Sequence, residues 1–190
     1  MTDKDKILDD FFNSLEPKLK AKTIDLLKPH LKVLCFPKKH VLLRENQFCN
    51  KIYLMCKGAS RSYYIHNGIE IHTWFAFEDE VVGSLRNFNG QASKENIELI
   101  EDSVLISFYI PEIKSLMKKH IEVANFVNKT ILEHALFMED KFFDFHMKTA
   151  QEKFAALLNH EPKIFQRVPL TFIASYLGIS RETLSRLRAN

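Results

Sequence analysis

The sequence predicts an α+β protein: a β-rich zone in the first half of the chain, a long helical stretch after it, and a helix-turn-helix at the C-terminal end. Three observations carry this prediction. Four of the five glycines, Gly58, Gly68, Gly83 and Gly90, fall between residues 58 and 90, among short runs of β-formers. Between Pro111 and Pro162 there is neither Gly nor Pro, and helix formers fill the stretch. From Val168 to Arg188 an apolar face, a glycine, a plug and a cap follow one another in the register of two short crossing helices.

Composition bounds the answer. The chain has 190 residues, 46% hydrophobic and 27% charged, with 16 Phe, enough apolar material for a core and too much for global disorder. The three cysteines, Cys35, Cys49 and Cys56, lack the paired spacing of zinc or iron–sulfur ligands and read as reduced thiols. The opening residues from Met1 to Lys6 are mixed in charge, and no apolar run approaches the roughly 18 residues of a membrane span. The expectation is a soluble, cytoplasmic protein that needs no cofactor and no metal. Net charge is only +3, but residues 148–190 hold seven Lys or Arg against three Asp or Glu, and this basic end points to an acidic partner.

Taken in order, residues 4–30 read as two short helices split near Pro17, with Ile7, Leu8, Phe11, Phe12, Leu15, Ile24 and Leu27 as the buried stripe. Strands are predicted at 52–56, 60–65, 69–77 and 104–110, with His66-Asn67-Gly68 as a tight turn. Many short strands separated by turn signals suggest a sandwich or a barrel. In the helical stretch Ala124, Val127, Ile131, His134, Met138, Phe142 and Phe145 recur at steps of three and four. Such a stripe serves either as a dimer seam or as a face packed on the sheet. His134 within it reads as a packed or hydrogen-bonded residue, not a metal ligand. Residues 149–160 are amphipathic through Phe154, Leu157 and Leu158.

The C-terminal segment is the most informative. Pro169 suits a first helical position, and Leu170, Ile173, Ala174 and Leu177 form one apolar face at i, i+3, i+4 and i+7. Gly178 stops that helix as a left-handed cap, Ile179 plugs the angle, and Ser180 caps the next helix. On the second helix Leu184 and Leu187 face the core, while Glu182, Ser185 and Arg186 lie opposite, flanked by Arg181. Arginine donates bidentately to guanine and glutamate accepts from cytosine N4, so this face suits the major groove of DNA.

At these residues the chain resembles the Crp/Fnr family of bacterial transcription regulators. Ser180-Arg181-Glu182-Thr183-Leu184-Ser185-Arg186 is similar to the family's recognition-helix signature, and Ile52-Tyr53-Leu54 followed by Gly58 stands where the family has a strand and a glycine turn. The resemblance implies a cyclic-nucleotide-binding-like antiparallel β-roll over residues 1–118, a dimerisation helix over 119–147 and a winged-type helix-turn-helix over 148–190. It implies a homodimer on double-stranded DNA with a near-palindromic operator and a GTGA-like half-site, and it admits RNA polymerase as a further partner. Arg181, Glu182 and Arg186 would touch base edges; Thr171, Ser180, Thr183 and Ser185 would be phosphate contacts. No family element is expected beyond Asn190.

The effector cassette departs from the family. Where members that bind cyclic nucleotides have Gly-Glu-Leu and then Arg-Ser, this chain has Gly83-Ser84-Leu85 and Ser93-Lys94. The ribose carboxylate is missing, Lys is a weaker planar clamp than Arg, and Glu95 repels phosphate. The expectation is a degenerate pocket without tight cyclic-nucleotide binding and an effector left unidentified; a cyclic nucleotide or another small effector, haem included, in the roll is the alternative. Cys35 as first cysteine excludes the N-terminal iron–sulfur branch. His72, Cys56 and His66 are expected in the core or on the surface, not as haem ligands. The aromatics Tyr53, Tyr63, Tyr64, Trp74, Phe75 and Phe77 either fill the roll or enclose an apolar ligand. An enzyme is not expected: His66, His72 and Glu78 have the residue types of a roll-type metal enzyme without its spacing, and no nucleophile elbow surrounds any Ser or Cys. In a third reading the helix-turn-helix contacts a protein partner.

Overall fold

The computed structural model describes residues 3–14 and 19–189; Leu15 and Pro17 of the expected N-terminal pair lie outside them. Two compact units emerge, one of residues 1–62 and 75–128, the other of 63–74 and 129–190.

The first unit begins with helices α1 (Asp3–Ser14) and α2 (Ala21–Leu27), the pair expected from the stripe, followed by a 3-10 turn at Lys28–His30. Strand β1 (Leu31–Phe36) comes next, then β2 (Val41–Leu43), β3 (Lys51–Lys57), β4 (Ser60–His66), β5 (Ile69–Ala76), β6 (Val81–Val82), β7 (Asn96–Leu99) and β8 (Ser103–Tyr109). They form two four-stranded sheets, in the orders β1-β8-β3-β6 and β2-β7-β4-β5. Strand β8 pairs antiparallel with both β1 and β3, Leu105 lying opposite Leu34 on one side and Met55 on the other. The register with β3 slips between Met55 and Lys57, and Gly58 follows at φ +106° with its backbone against Ser103. No side chain fits there, which is why the glycine stands in that turn.

Leu8, Phe11 and Phe12 of α1 and Leu27 of α2 meet Leu31, Val33, Leu54 and Ile106 of the sheet, together with Ile113 and Val123 from the helices that follow. Full burial of each such side chain stabilises the fold by about 1.5–3 kcal/mol. Helix α4 (Ile110–Lys119) starts with Pro111 in its first turn, and α5 (Ile121–Met147) follows after the extended His120. The Gly- and Pro-free stretch is therefore helical as expected, but in three pieces.

The second break comes at Thr149, whose hydroxyl accepts the Glu152 N–H while the Glu152 carboxylate accepts the Thr149 N–H. This capping box starts α6 (Ala150–His160). The carboxyl of Glu152 is held below the ordinary glutamate value by the Thr149 backbone N–H first and the Thr149 hydroxyl second.

The second unit holds the β4–β5 hairpin from Tyr63 to Trp74, most of α5, α6, and then α7 (Ile164–Arg167), α8 (Leu170–Leu177) and α9 (Arg181–Ala189). The hairpin turns through Asn67 (φ 52°) and Gly68 (φ 75°), the positive pair a two-residue turn demands. The C-terminal core is Leu157, Ile164, Val168, Ile173, Ala174, Leu177 and Leu184, all buried. Phe154 meets Phe165 edge-on at 5.4 Å, whereas Leu158, expected on the buried face, is 45% exposed. Among the described residues after Met147 every element is helical. The wing strands of the winged type are thus not present in 148–189, because Pro162 and the bond from Val168 N–H to Ile164 C=O close the intervening run 163–168 into α7.

Candidate nucleic-acid interface

Helix α8 buries Ile173, Ala174 and Leu177, with Leu170 half-buried at its start. At its end Gly178 takes φ +69°, its N–H reaching Ser175 C=O at 3.1 Å and the Ile179 N–H reaching Ala174 C=O at 3.0 Å. That paired return is a Schellman cap, and it sets the angle between α8 and α9.

Ser180 then opens α9: its hydroxyl accepts the Thr183 N–H at 3.1 Å and lies 3.2 Å from the Thr183 hydroxyl. Leu184 is completely buried beneath α9 and Leu187 half-buried, as the 100° steps predict. Arg181, Glu182, Ser185 and Arg186 are all exposed, as is Thr171 at the start of α8. The Arg186 guanidinium donates to the Thr183 hydroxyl at 3.4 Å. The Glu182 carboxyl lies below its usual value, through its own backbone N–H first, then the Ser180 hydroxyl and the charges of Arg181 and Arg186. The helix thus presents two guanidinium groups around one ionised carboxylate. Of the four hydroxyls expected on phosphate, Thr171 and Ser185 are open, whereas Ser180 and the half-buried Thr183 already serve the cap.

The cassette residues lie in the first unit. Gly83 is half-buried, and a side chain there would press on Ile52 at 3.2 Å. Ser84 and Ser93 are buried at 3% and 1% exposure, whereas Leu85 and Lys94 face solvent. A short helix α3 (Leu85–Phe88) fills what the cassette pattern leaves as a loop. The Ser93 hydroxyl donates to Glu95 C=O at 2.9 Å and accepts the Glu95 N–H at 3.1 Å, so it is spent on its own turn. The Glu95 carboxylate accepts a hydrogen bond from Ser62, and Glu98 pairs with the buried Arg61 at 3.2 Å. Two carboxylates therefore stand on and beside β7, and the Arg61 guanidinium nearby is paired with one of them.

Residues 33–120 match the family model of the cyclic nucleotide-binding domain. No curated protein matches the chain. Among solved structures, FixK2 from Bradyrhizobium japonicum superposes with a TM-score of 0.74 at 20% identity, over 84% of this chain and 83% of that one. A protein of Eubacterium rectale assigned to the Crp/Fnr family of transcriptional regulators gives 0.71 at 22% identity, over 94% and 85%. The fold is that of the Crp/Fnr regulators. CLP, a c-di-GMP responsive global regulator of Xanthomonas campestris, shares it at 0.65 and 15% identity, over 90% of each chain. At such identities the likeness concerns the backbone, and side-chain roles rest on this chain's own geometry.

Within that Crp/Fnr fold, the α5 stripe divides along its length. Ala124, Val127, Ile131 and His134 are half-buried, whereas Met138, Phe142 and Phe145 are exposed, the last two by 69% and 59%. Leu132, Leu136, Phe143 and Met147, off the expected stripe, are exposed as well. The residues considered as haem ligands separate: His72 is buried against Phe172, and His66 lies exposed beside the hairpin turn. Burial pushes the half-buried Cys56 thiol up to about 11, which keeps it protonated at neutral pH. Tyr53, Tyr63, Trp74 and Phe77 are buried, Phe75 is half-buried, and Tyr64 faces outward. Arg61, Ser62 and Glu98 carry no sequence signal beyond an arginine inside a predicted strand; their partners follow from strand register, which a single sequence does not reveal.

Proposed function

We propose that this chain is a sequence-specific, DNA-binding transcription regulator, with a sensor roll over residues 1–118, a dimerisation helix over 119–147 and a DNA-binding end over 148–190. The observation that carries the proposal is the outer face of α9: Arg181, Glu182, Ser185 and Arg186 exposed together on a helix whose opposite side is sealed by Leu184. Arg181, Glu182 and Arg186 read base edges, and Thr171 and Ser185, with Ser180 and Thr183 near the helix start, lie against phosphates. Exposed Phe142, Phe143, Phe145 and Met147 on α5 support a homodimer, since apolar surface of this kind marks an interface. Two copies would then read half-sites about 34 Å apart, one turn of DNA. The carboxylates at Glu95 and Glu98 support a roll that binds no cyclic nucleotide tightly, although the matched domain is named for that ligand.

Selection from random duplex DNA, with and without cyclic AMP, tests this. Enrichment of a palindrome under both conditions is the expected result. Enrichment only with cyclic AMP would overturn the cassette argument. No enrichment, together with capture of a protein partner insensitive to salt, would favour a protein-binding role for the helix-turn-helix, because phosphate contacts weaken steeply with salt.

A further inference from the structure

Helix α8 has a second face that the helix-turn-helix pattern does not use. Phe172, Ser175 and Tyr176 lie at i, i+3 and i+4, outside the core face, and so share one side of the helix. Within the second unit this side meets the β4–β5 hairpin. The Ser175 hydroxyl donates to Glu70 C=O at 3.1 Å and accepts the His72 N–H at 3.1 Å. One turn earlier on α8, the Phe172 ring stacks on the buried His72 ring, 4.4 Å between centroids and 21° between planes. His72 in turn lies 5.8 Å from the Tyr63 ring on the other hairpin strand. From the other direction the Lys141 ammonium of α5 sits 5.1 Å from the Tyr176 ring.

The chemistry of the Ser175 contact is specific. Strand β5 is at the edge of its sheet, and residues two apart on a strand point their backbone groups to the same side. Glu70 C=O and His72 N–H are therefore one acceptor and one donor of a single edge, the pair that a further strand would take up. A serine hydroxyl, which can donate and accept at once, satisfies both. The contact ties the β-hairpin to the first helix of the helix-turn-helix while Arg181, Glu182, Ser185 and Arg186 stay exposed. It leaves the reading face open.

We propose that Ser175, supported by Phe172, is a positioning residue for DNA reading: by bonding to the outer edge of β5 it fixes the orientation in which α9 is presented, and so the half-site spacing the regulator accepts. This rests on the reading of α9 as the DNA-contacting helix. A head held at one angle accepts one separation of half-sites; a loosened head spreads its binding over several and loses affinity at the best one. Base preference within a half-site belongs to α9 alone and stays unchanged.

The test uses the purified full chain and duplexes carrying the selected palindrome, with its half-sites moved apart or together by one and two base pairs, beside a duplex with a single half-site. Wild type should prefer one spacing sharply. Ser175→Ala should weaken binding to the best-spaced operator by about tenfold, the loss expected for two modest hydrogen bonds, and flatten the spacing profile, with single half-site affinity and base preference unaltered. Ser175→Thr, which keeps the hydroxyl, should restore the profile. Phe172→Leu, which keeps apolar bulk but loses the ring stack, should flatten it partly and provides a second reading should the alanine variant fold poorly. A Ser175→Ala profile as sharp as wild type overturns the inference. So does a proportional loss on the single half-site, which would mean that the residue only supports the head's own fold, and so does a threonine variant no better than alanine. A wild type that selects no palindrome overturns the DNA reading itself, a failure visible before any variant is compared.

Discussion

Replacing Gly178 by alanine separates backbone strain from crowding in the turn that sets the two C-terminal helices against each other. Gly178 sits at φ +69°, and a Cβ built there would meet only Phe145 Cε2, at an ordinary 3.5 Å. The cost is therefore conformational: about 1–2 kcal/mol for an L-residue in the left-handed region, reduced by about 0.4–1 kcal/mol because alanine restricts the unfolded chain. The net expectation is a loss near 1 kcal/mol. Gly58 provides the contrast, at φ +106° with a Cβ 2.8 Å from Ser103 Cβ and 2.9 Å from its Cα. Backbone cannot step aside as a side-chain tip can, so crowding adds about 1–3 kcal/mol to the strain there. Urea unfolding followed by circular dichroism would measure both variants. Gly178→Ala should keep DNA binding at low temperature, and Gly58→Ala should be the less stable by about 2 kcal/mol. Equal losses at the two sites would refute the assignment of the Gly178 cost to torsion alone, and a stabilised Gly178→Ala would refute the left-handed cap.

Other perturbations follow from the same geometry. Arg181→Ala and Arg186→Ala should each remove about 1–3 kcal/mol of specific binding and relax preference at one base pair, measured by competition with point-substituted operators; equal loss on every sequence would make them phosphate contacts. Phe142→Glu places a charge on the exposed stripe of α5 and should convert a dimer to monomers in sedimentation velocity; an unchanged dimer would put the interface elsewhere. Because the Glu152 carboxyl is held below its usual value by Thr149, its stabilisation is present above the ordinary glutamate range and disappears as pH falls through the lowered value. Glu152→Gln should therefore remove that part of the acid sensitivity in thermal melts, and a variant with wild-type pH dependence would show that the capping carboxylate contributes nothing.

The helix-turn-helix was the most legible part of the sequence because its signals are local: one glycine, one serine and six apolar residues fix both helices. Strands β3, β4 and β5 were legible for a related reason, since Gly58 and the Asn67-Gly68 turn bound runs of β-branched and aromatic residues. Strand β1, Leu31–Phe36, lies between Pro29 and Pro37 but has no glycine turn to mark it, and β2 and β6, of three and two residues, are too short for any periodic signal. The α5 stripe was ambiguous by physics, because a seam between copies and a face on a sheet use the same steps of three and four. In the segment 83–95, the identities of Ser84 and Glu95 could be read directly. The pairing of Arg61 with Glu98, and of Ser62 with Glu95, could not, because cross-strand partners depend on a register that only the folded sheets define. The second face of α8 was visible as Phe172 and Tyr176 left over from the core pattern, without any local clue to what they touch.

Helix α5 runs for 27 residues without interruption, about 40 Å at 1.5 Å per residue, and the boundary between the two units falls inside it, between residues 128 and 129. A rod of this kind counts in phase as well as in length. One residue inserted near that boundary turns everything beyond it by about 100°, whereas seven residues lengthen the rod by about 10 Å and leave its angular setting within about 20° of the original. Insertions of seven or eleven residues therefore keep the angular phase between the two ends of α5, whereas a single inserted residue does not.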